Sequence, residues 1–241
     1  MTQEQMQIVV LAGGLGTRLY PLTHDIPKPM IPIGDKPYLH YQVEYLRQQG
    51  FQRYLFLTGH LSEQIEDYFG DGSNFDVEIS YSVEPEPLGT GGGLRLALPL
   101  LADHFILVYG DSFLPIDFNM LVEKTESDDF DATMVIYDNN ELTDVPDNVL
   151  LDSDGRVSDY DKENPDEMNY VEAGVLAFRK SVIEEIPGDR KFSLEMDKFP
   201  QLIAQNRMSG FVTRERFYDI GTPARLEEFK QVINDYFPNP L

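Results

Sequence analysis

The first half of the chain alternates short apolar runs with segments whose apolar residues have helical spacing. Four runs, at residues 7–12, 53–59, 77–84 and 105–112, are the length of single strands and rich in apolar residues. Between them the spacing predicts a helix at 38–50, a short capped helix at 62–70 and a third that begins at GGGLRLALPLL. This alternation predicts an open, mostly parallel α/β sheet.

The second half has a different pattern, in which strands follow one another more closely. Residues 148–160 predict a hairpin whose turn is Asp154 and Gly155, and residues 210–223 predict two short strands around a turn. The remaining predictions are strands at 130–138 and 170–180 and helices near 182–185, 193–206 and 223–237. No repeat or clear linker divides the chain, so residues 1–241 are expected to form one mixed α/β domain.

Composition narrows the classes of function. The formal net charge of −23 argues against nucleic acid and against anionic membranes as partners, because both attract positive surfaces. The absence of cysteine excludes disulfides, zinc–thiolate sites and thiol catalysis. The N-terminal sequence lacks the pattern of a signal peptide, and no apolar run has membrane-spanning length, so a cytoplasmic enzyme is expected. A homo-oligomer is compatible with the sequence.

A glycine-rich loop directly after the first strand is the first candidate site. Gly13, Gly14 and Gly16 allow backbone N–H groups to approach phosphate oxygens, and Arg18 and Lys28 add positive charge that the rest of the acidic chain lacks. The prolines on both sides of Lys28 hold that lysine in an extended segment. The alternative is a structural turn with an ordinary surface lysine.

The loop does not match the two better-known phosphate motifs. A P-loop requires Gly-Lys-Ser/Thr where this chain has Gly16, Thr17 and Arg18, and the dinucleotide fingerprint requires glycine where Leu19 stands.

Two aspartates, Asp111 and Asp219, each follow a predicted strand. A single aspartate in such a place is commonly a turn former or a helix cap.

Four segments together carry a resemblance to a known family. The segments LAGGLGTRLYPLTHDIPKPMIPIGDKPYLHY, EPEPLGTGGGLRLA, VYGDS and FYDIGTPARLEEF resemble, in this order, the motifs of sugar-1-phosphate nucleotidyltransferases, also called nucleotide-sugar pyrophosphorylases. The resemblance extends over essentially the whole chain. LGTGG and KFSLEMD further resemble the guanylyltransferases that act on D-glycero-D-manno-heptose 1-phosphate. The resemblance implies a single nucleotidyltransferase domain at 1–241, with a Rossmann-like, open, mixed but mostly parallel sheet flanked by helices.

The resemblance also implies a reaction and roles for individual residues. An oxygen of the sugar phosphate attacks the α-phosphorus of a nucleoside triphosphate, and pyrophosphate leaves. Asp111 and Asp219 would hold the Mg²⁺ cofactor, Arg18 would bind the β- and γ-phosphates, and Lys28 would bind phosphate near the reacting centre, which makes Arg18, Lys28 and Asp111 the catalytic set. The implied nucleotide-binding residues are Leu11, Ala12, Gly13, Gly14, Gly16, Thr17, Arg18, Lys28, Glu84, Gly89 and Thr90.

Glu84 bears on the choice of base. The resemblance places it where relatives that use uridine or thymidine triphosphate carry glutamine. A carboxylate offers only acceptors, which suits the adjacent N1–H and 2-amino donors of guanine and not the carbonyl oxygens of uracil. The sequence therefore favours GTP. The alternatives are UTP, dTTP or CTP, and a Glu84 side chain that points to solvent or pairs with Arg95.

Three residues are the candidates for binding the sugar phosphate. Lys162 matches a family lysine, but Asp161 replaces the usual glutamate before it, and an exposed loop lysine is the alternative. Glu172 stands where relatives often have asparagine, and Gly174 would allow close approach of the sugar ring. A heptose or mannose 1-phosphate is expected, with another hexose 1-phosphate as the alternative. A noncatalytic nucleotide-sugar-binding regulatory subunit is the alternative of a different class.

Overall fold

A twisted seven-stranded sheet forms the centre of the molecule. The structure is a computed structural model, which describes residues 6–139 and 143–237. The strands of the central sheet are β1 (Gln7–Leu11), β4 (Arg53–Thr58), β5 (Glu78–Val83), β6 (His104–Tyr109), β8 (Ala132–Tyr137), β11 (Val171–Arg179) and β12 (Met208–Thr213). Three short two-stranded sheets pair β2 (Pro32–Ile33) with β3 (Lys36–Pro37), β7 (Ser112–Phe113) with β13 (Tyr218–Asp219), and β9 (Val149–Leu151) with β10 (Val157–Tyr160).

The order of the central strands is β12-β8-β11-β6-β1-β4-β5. Every pair in it is parallel except the two that involve β11, which is antiparallel to both β6 and β8. The carboxyl ends of β1, β4, β5 and β6 therefore meet at one edge of the sheet, together with the amino end of β11. The predicted mixed, mostly parallel sheet is confirmed.

Helices cover both faces of this sheet. They are α1 (Tyr38–Gln48), α2 (Ser62–Phe69), α3 (Thr90–Leu96), α4 (Phe118–Ser127), α5 (Lys180–Glu184), α6 (Phe199–Ala204) and α7 (Pro223–Tyr236), with one π-helical turn at Leu194–Lys198. No helix in the described ranges is long and apolar enough to cross a membrane.

The alternation of side chains along β1 explains why both faces are covered. Ile8 and Val10 are buried in one apolar cluster with Leu39 and Val43 of α1, whereas Val9 is buried in the other cluster with Leu94 of α3. Because successive side chains of a strand point to opposite faces, an uninterrupted apolar run requires a layer on each side. A third cluster packs α7 against β7 and β13.

Most predicted elements are present, and three details differ. The two strands predicted around a turn in residues 210–223 do not pair with each other, because β12 joins the central sheet and β13 pairs with β7. Helix α2 has no side-chain cap, and the residue before it, Leu61, has φ 59°. The third helix begins at Thr90, before the predicted glycine run. The hairpin turn is confirmed at Gly155, with φ 78°.

Candidate active site

Two neighbouring cavities open at the edge where the parallel strands end. The glycine-loop cavity, of about 290 Å³, is lined by residues 11–15, Lys28, Glu84 and Gly89 among others. The Glu172 cavity, of about 320 Å³, is lined by Arg18, Glu172 and Asp219 among others. Tyr109 and Asp111 line both cavities. Asp111 follows β6 at the centre of the sheet, so its carboxylate lies where the two cavities meet.

The predicted nucleotide-binding residues separate into two groups. Those that line the glycine-loop cavity are Leu11, Ala12, Gly13, Gly14, Lys28, Glu84, Gly89 and Thr90. Gly16 and Thr17 line neither cavity. Gly16 has φ 62°, and its carbonyl accepts a 2.8 Å hydrogen bond from Thr23 Oγ1, so it shapes the loop. Arg18 follows in a 3₁₀ turn and lines the Glu172 cavity instead.

Arg18 has an exposed side chain that lies close to the Asp219 loop. A side chain at Gly221 would place its Cβ 3.4 Å from Arg18 Nη2. In the described part of the chain no carboxylate forms an ion pair with this guanidinium. Its five N–H donors are therefore directed to water or to a ligand, and a guanidinium binds phosphate oxygens in pairs.

Lys28 is bound to Asp111. The lysine is buried, at 8% exposure, and its Nζ donates a hydrogen bond to Asp111 Oδ2. A buried ammonium needs such a partner, because an unpaired charge away from water is costly. The pair brings two predicted catalytic residues together and excludes the alternative of an ordinary surface lysine.

Asp219 is brought next to Asp111 by a short ladder between distant parts of the chain. In the pairing of β13 with β7, Asp219 lies opposite Ser112, and the backbone N–H of Ile220 donates a 3.0 Å hydrogen bond to the carbonyl of Asp111. The carboxylate of Asp219 accepts a 2.6 Å hydrogen bond from the Gly221 N–H and a 3.0 Å bond from Arg225 Nη1. The two aspartates that sequence placed at separate strand ends therefore lie side by side.

The donor set of the two aspartates fits a magnesium ion that is shared with a substrate. Both carboxylates already accept a positive group, Lys28 on Asp111 and Arg225 on Asp219. Among the described residues there is no cluster of three or more histidine, aspartate or glutamate side chains that would form a closed metal site. Mg²⁺ commonly takes one or two protein carboxylates and completes its octahedron with phosphate oxygens and water.

Glu84 points into the loop that surrounds the first cavity. Its Oε2 accepts a 2.8 Å hydrogen bond from the Leu88 N–H, and a Cβ at Gly93 would lie 2.6 Å from its Oε1. Burial raises the pKa of Glu84, and the Leu88 N–H partly offsets that effect. Within the described ranges no ion pair joins Glu84 to Arg95, so neither structural alternative for this side chain is present.

The loop after Glu84 is fixed by the segment around Phe192. Gly89 has φ 81°, and a Cβ there would lie 2.7 Å from the carbonyl oxygen of Phe192. The Thr90 hydroxyl donates a 2.7 Å hydrogen bond to Glu195 Oε2, and the Tyr109 hydroxyl donates a 2.8 Å bond to Glu195 Oε1. Glu195 thus connects the glycine-loop cavity to the tyrosine that lines both cavities.

Glu172 is a buried carboxylate at the amino end of β11. Gly174 has φ 75°, and the pairing of β11 with β8 shifts between Glu172 and Leu176, so the strand bulges there. The Gly174 N–H donates a 3.2 Å hydrogen bond to Glu172 Oε1. A Cβ at Gly174 would lie 2.8 Å from Ser112 Cβ, which explains the glycine. The bulge directs Glu172 into the cavity.

Lys162 lines the same cavity from an exposed loop. Its Nζ lies 5.5 Å from the centre of the Tyr160 ring. Burial raises the pKa of Glu172 to about 7, and the charge of Lys162 opposes that rise. The three residues predicted to bind the sugar phosphate, Lys162, Glu172 and Gly174, are therefore together in one cavity, and Lys162 remains an exposed side chain within it.

The raised pKa of Glu172 predicts a specific dependence of stability on pH. Between the ordinary value of 4.5 and the native value of about 7, the folded state binds the proton more strongly than the unfolded state does. The free energy of unfolding should therefore fall as pH rises through this window, by at most about 3 kcal/mol. Glutamine does not titrate, so the free energy of unfolding of the Glu172→Gln variant should lack this pH dependence. At pH 8 the variant should therefore be more stable than the wild type.

Urea unfolding of the wild type and of Glu172→Gln at pH 5 and pH 8 measures this difference. The matched control is Glu167→Gln, because Glu167 is exposed near the same loop and should shift stability equally at both pH values. A constant difference between wild type and Glu172→Gln across the window would show that Glu172 does not hold its proton in the folded state.

Three residues of the site were not found from the sequence. Arg225 donates a hydrogen bond to Asp219, and Glu195 accepts hydrogen bonds from Tyr109 and Thr90. Tyr38 has a fully buried hydroxyl without a described hydrogen-bond partner. Burial first, and then the charges of Asp111 and Asp219, raise the pKa of Tyr38. All three residues lie in segments that carry the family resemblance: Arg225 in FYDIGTPARLEEF, Glu195 in KFSLEMD, and Tyr38 in the long segment that begins LAGGLGTRLY. The segments carried a signal, but nothing in them singled out these side chains.

A family model for nucleotidyl transferases matches residues 7–235 of the chain. This chain belongs to the nucleotidyl transferase family. The match covers both cavities and the two aspartates between them. The resemblance to sugar-1-phosphate nucleotidyltransferases, and with it the expected enzyme class, is confirmed.

The nucleotidyl transferase has relatives that match nearly its whole length. It is 31% identical to the D-glycero-alpha-D-manno-heptose 1-phosphate guanylyltransferase of Aneurinibacillus thermoaerophilus, over 96% of this chain and 100% of that protein. It is 34% identical to a UTP–glucose-1-phosphate uridylyltransferase of Synechocystis, over 82% of this chain and 55% of that protein. The crystal structure of HddC from Yersinia pseudotuberculosis complexed with GMP-PN superposes with a TM-score of 0.77 at 30% identity, covering 94% of this chain and 98% of the other.

Proposed function

We propose that this nucleotidyl transferase uses Mg²⁺ to transfer a guanylyl group from GTP to a heptose or mannose 1-phosphate, with release of pyrophosphate. The observation that carries the proposal is the position of Asp111, whose carboxylate lines both cavities at their junction. A residue in that place touches both substrates of a two-substrate transfer. We further infer that residues 1–241 act as one nucleotidyltransferase domain.

The glycine-loop cavity is proposed to bind GTP. Glu84 presents carboxylate oxygens beside Gly13, and the backbone groups of Leu11, Ala12 and Gly89 lie around the same space. A carboxylate accepts hydrogen bonds from the N1–H and the 2-amino group of guanine, and it has no donor for a carbonyl oxygen. The relatives named for guanylyl transfer and the complex with GMP-PN support this choice of base.

The Glu172 cavity is proposed to bind the sugar 1-phosphate. Lys162 supplies positive charge for its phosphate, and Glu172 and the backbone at Gly174 supply acceptors and space for the sugar. A carboxylate accepts hydrogen bonds from neighbouring hydroxyl groups. The relative named for a heptose 1-phosphate supports a sugar of that type.

The chemistry assigned to the protein is charge neutralisation and alignment. An oxygen of the sugar phosphate forms a bond to the α-phosphorus, and the bond from that phosphorus to the bridging oxygen of pyrophosphate breaks. Lys28 stabilises negative charge at the reacting centre, and Arg18 stabilises it on the departing pyrophosphate. Asp111 and Asp219 would hold Mg²⁺, which supplies further positive charge between the phosphates. The attacking phosphate is already ionised, so no general base is assigned.

The test is pyrophosphate release in the presence of Mg²⁺, with each nucleoside triphosphate combined with a panel of heptose, mannose, glucose and N-acetylated sugar 1-phosphates. Release with GTP and a heptose or mannose 1-phosphate is expected. Release with UTP and glucose 1-phosphate would overturn the base and the sugar and keep the reaction class. Nucleotide binding without release from any pair would favour a regulatory subunit.

A further inference from the structure

Arg225 joins Asp219 of the candidate metal pair to the wall of the Glu172 cavity. It lies in the first turn of α7, after the capping residue Thr222. Its Nη1 donates to Asp219 Oδ2 at 3.0 Å, and its Nε and Nη2 donate to Asp144 Oδ1 at 3.2 and 2.9 Å. The side chain is 22% exposed and lines the cavity together with Arg18 and Lys162.

The two edges of this guanidinium have different neighbours. The Nε–Nη2 edge is anchored on Asp144, whose side chain is 79% exposed, and the Nη1 end is directed to Asp219, at 15% exposure. A guanidinium keeps its charge at every physiological pH and holds its donors in a rigid plane. The contact of Nη1 with Asp219 can therefore be exchanged for another anion while the Asp144 contact stays in place.

The charges around the cavity indicate when Arg225 Nη1 exchanges Asp219 for another anion. Asp219 is also a candidate ligand of the metal, and a carboxylate that binds a divalent cation interacts less favourably with a neighbouring guanidinium. Arg225 then has only the exposed Asp144 as a described counter-ion, and it faces a cavity that is proposed to take a phosphate. Phosphate is the anion that a guanidinium fork matches in charge and geometry.

We propose that Arg225 binds the phosphate of the sugar 1-phosphate and that, in the free protein, it occupies Asp219 in place of the metal. Arg225 thereby couples the two events: metal at Asp219 releases Nη1 for the incoming phosphate, and phosphate bound to Nη1 leaves Asp219 open to the metal. The substrate half of this inference rests on the function proposed above, whereas the competition with metal does not.

The test compares wild type, Arg225→Gln and Arg225→Lys, with Arg216→Gln as the matched control. Arg216 precedes β13 and forms a 2.6 Å ion pair with Glu228 of α7, the helix that carries Arg225, and it lines neither cavity. Three quantities are measured: the dissociation constant of Mn²⁺ for the free protein by electron paramagnetic resonance, the affinity for inorganic phosphate in the presence of Mn²⁺ by calorimetry, and the KM values for both substrates.

Arg225→Gln should bind Mn²⁺ roughly fivefold more tightly than wild type, because a competing charge is removed. It should bind inorganic phosphate more weakly, and its KM for the sugar 1-phosphate should rise about 10- to 100-fold with the KM for GTP unchanged. Arg225→Lys should keep Mn²⁺ binding near the wild-type value and give an intermediate KM, because an ammonium cannot hold Asp144 and a phosphate with two edges. Arg216→Gln should change none of these quantities.

Unchanged Mn²⁺ affinity in Arg225→Gln would overturn the competition, and an unchanged KM for the sugar phosphate with unchanged phosphate affinity would overturn the phosphate contact. An equal rise of both KM values with a lowered melting temperature would show that Arg225 has a merely structural role. If Arg225→Gln does not fold, Arg225→Lys tests the phosphate contact: an intermediate KM for the sugar phosphate supports it, and a wild-type KM overturns it. A wild type that turns over no substrate pair, yet whose Mn²⁺ affinity responds to Arg225→Gln, would refute the proposed function and leave the metal competition standing.

Discussion

The Asp111→Asn variant is expected to lose about 10³-fold or more in kcat. Asp111 is shared by both cavities, pairs with Lys28 and lies beside Asp219. Asparagine has nearly the same shape, but it carries no charge to hold a divalent cation or to orient the ammonium group of Lys28. The measurement is kcat for pyrophosphate release, together with Mn²⁺ binding, which should weaken in parallel.

Some loss of stability should accompany this change, because buried Lys28 loses its charged partner. The comparison of kcat is therefore made at a temperature at which circular dichroism shows both proteins to be folded. Asp76→Asn is the matched control: it removes one carboxylate at an exposed position with φ 54°, a conformation that asparagine tolerates, and it should leave kcat unchanged. A folded Asp111→Asn protein that retains kcat within tenfold of wild type would remove Asp111 from the catalytic set.

The Glu84→Gln variant is expected to lose about 10³-fold in the ratio of kcat/KM for GTP over UTP. Glutamine replaces one acceptor oxygen with an NH₂ donor, which faces the N–H donors of guanine and leaves buried polar groups unpaired. The remaining amide oxygen can still accept the hydrogen bond of the Leu88 N–H, so the loop should keep its conformation. The measurement is kcat/KM for each triphosphate with one fixed sugar 1-phosphate.

Glu86→Gln provides the control for this experiment, because Glu86 is exposed in the same loop and lines neither cavity. It makes the same change in charge and should leave the ratio of GTP to UTP intact. A Glu84→Gln protein with the wild-type preference among bases would mean that recognition depends on backbone groups of the loop and that Glu84 has a structural role only.

The sequence was sufficient for those parts of the site that follow a strong local pattern. Gly13 and Gly14 come directly after a buried apolar strand, and the end of a parallel strand is where the chain must turn at the ligand edge. Glu84 follows β5 in the same way. For such residues the predicted strand end places the residue at the ligand edge of the sheet. The type of residue then indicates which group of a ligand it can bind.

Other parts depend on contacts that leave no periodic signal. Strands β7 and β13 have two residues each, which is too short for any alternation to be recognised, so their pairing was not predicted. From the residues alone Asp111 and Asp219 were two strand ends; their adjacency came from the family resemblance. The fork of Arg225 between Asp144 and Asp219 joins a helix, a loop and a strand, so it is visible only once the chain is folded.

The short ladder between β7 and β13 also joins site residues that are synthesised at different times. Every residue that lines the glycine-loop cavity lies between Leu11 and Asp111, whereas Asp219 is contributed by β13, the last strand in the described ranges. A ribosome that has made only the first half has therefore supplied every residue that lines the glycine-loop cavity and just one of the two aspartates. The segment at residues 192–195 that fixes the loop after Glu84 is made later, and the second carboxylate arrives last, with the strand directly before α7. A shortened or still growing chain therefore carries the lining residues of this cavity before it can fix their loop or complete the aspartate pair.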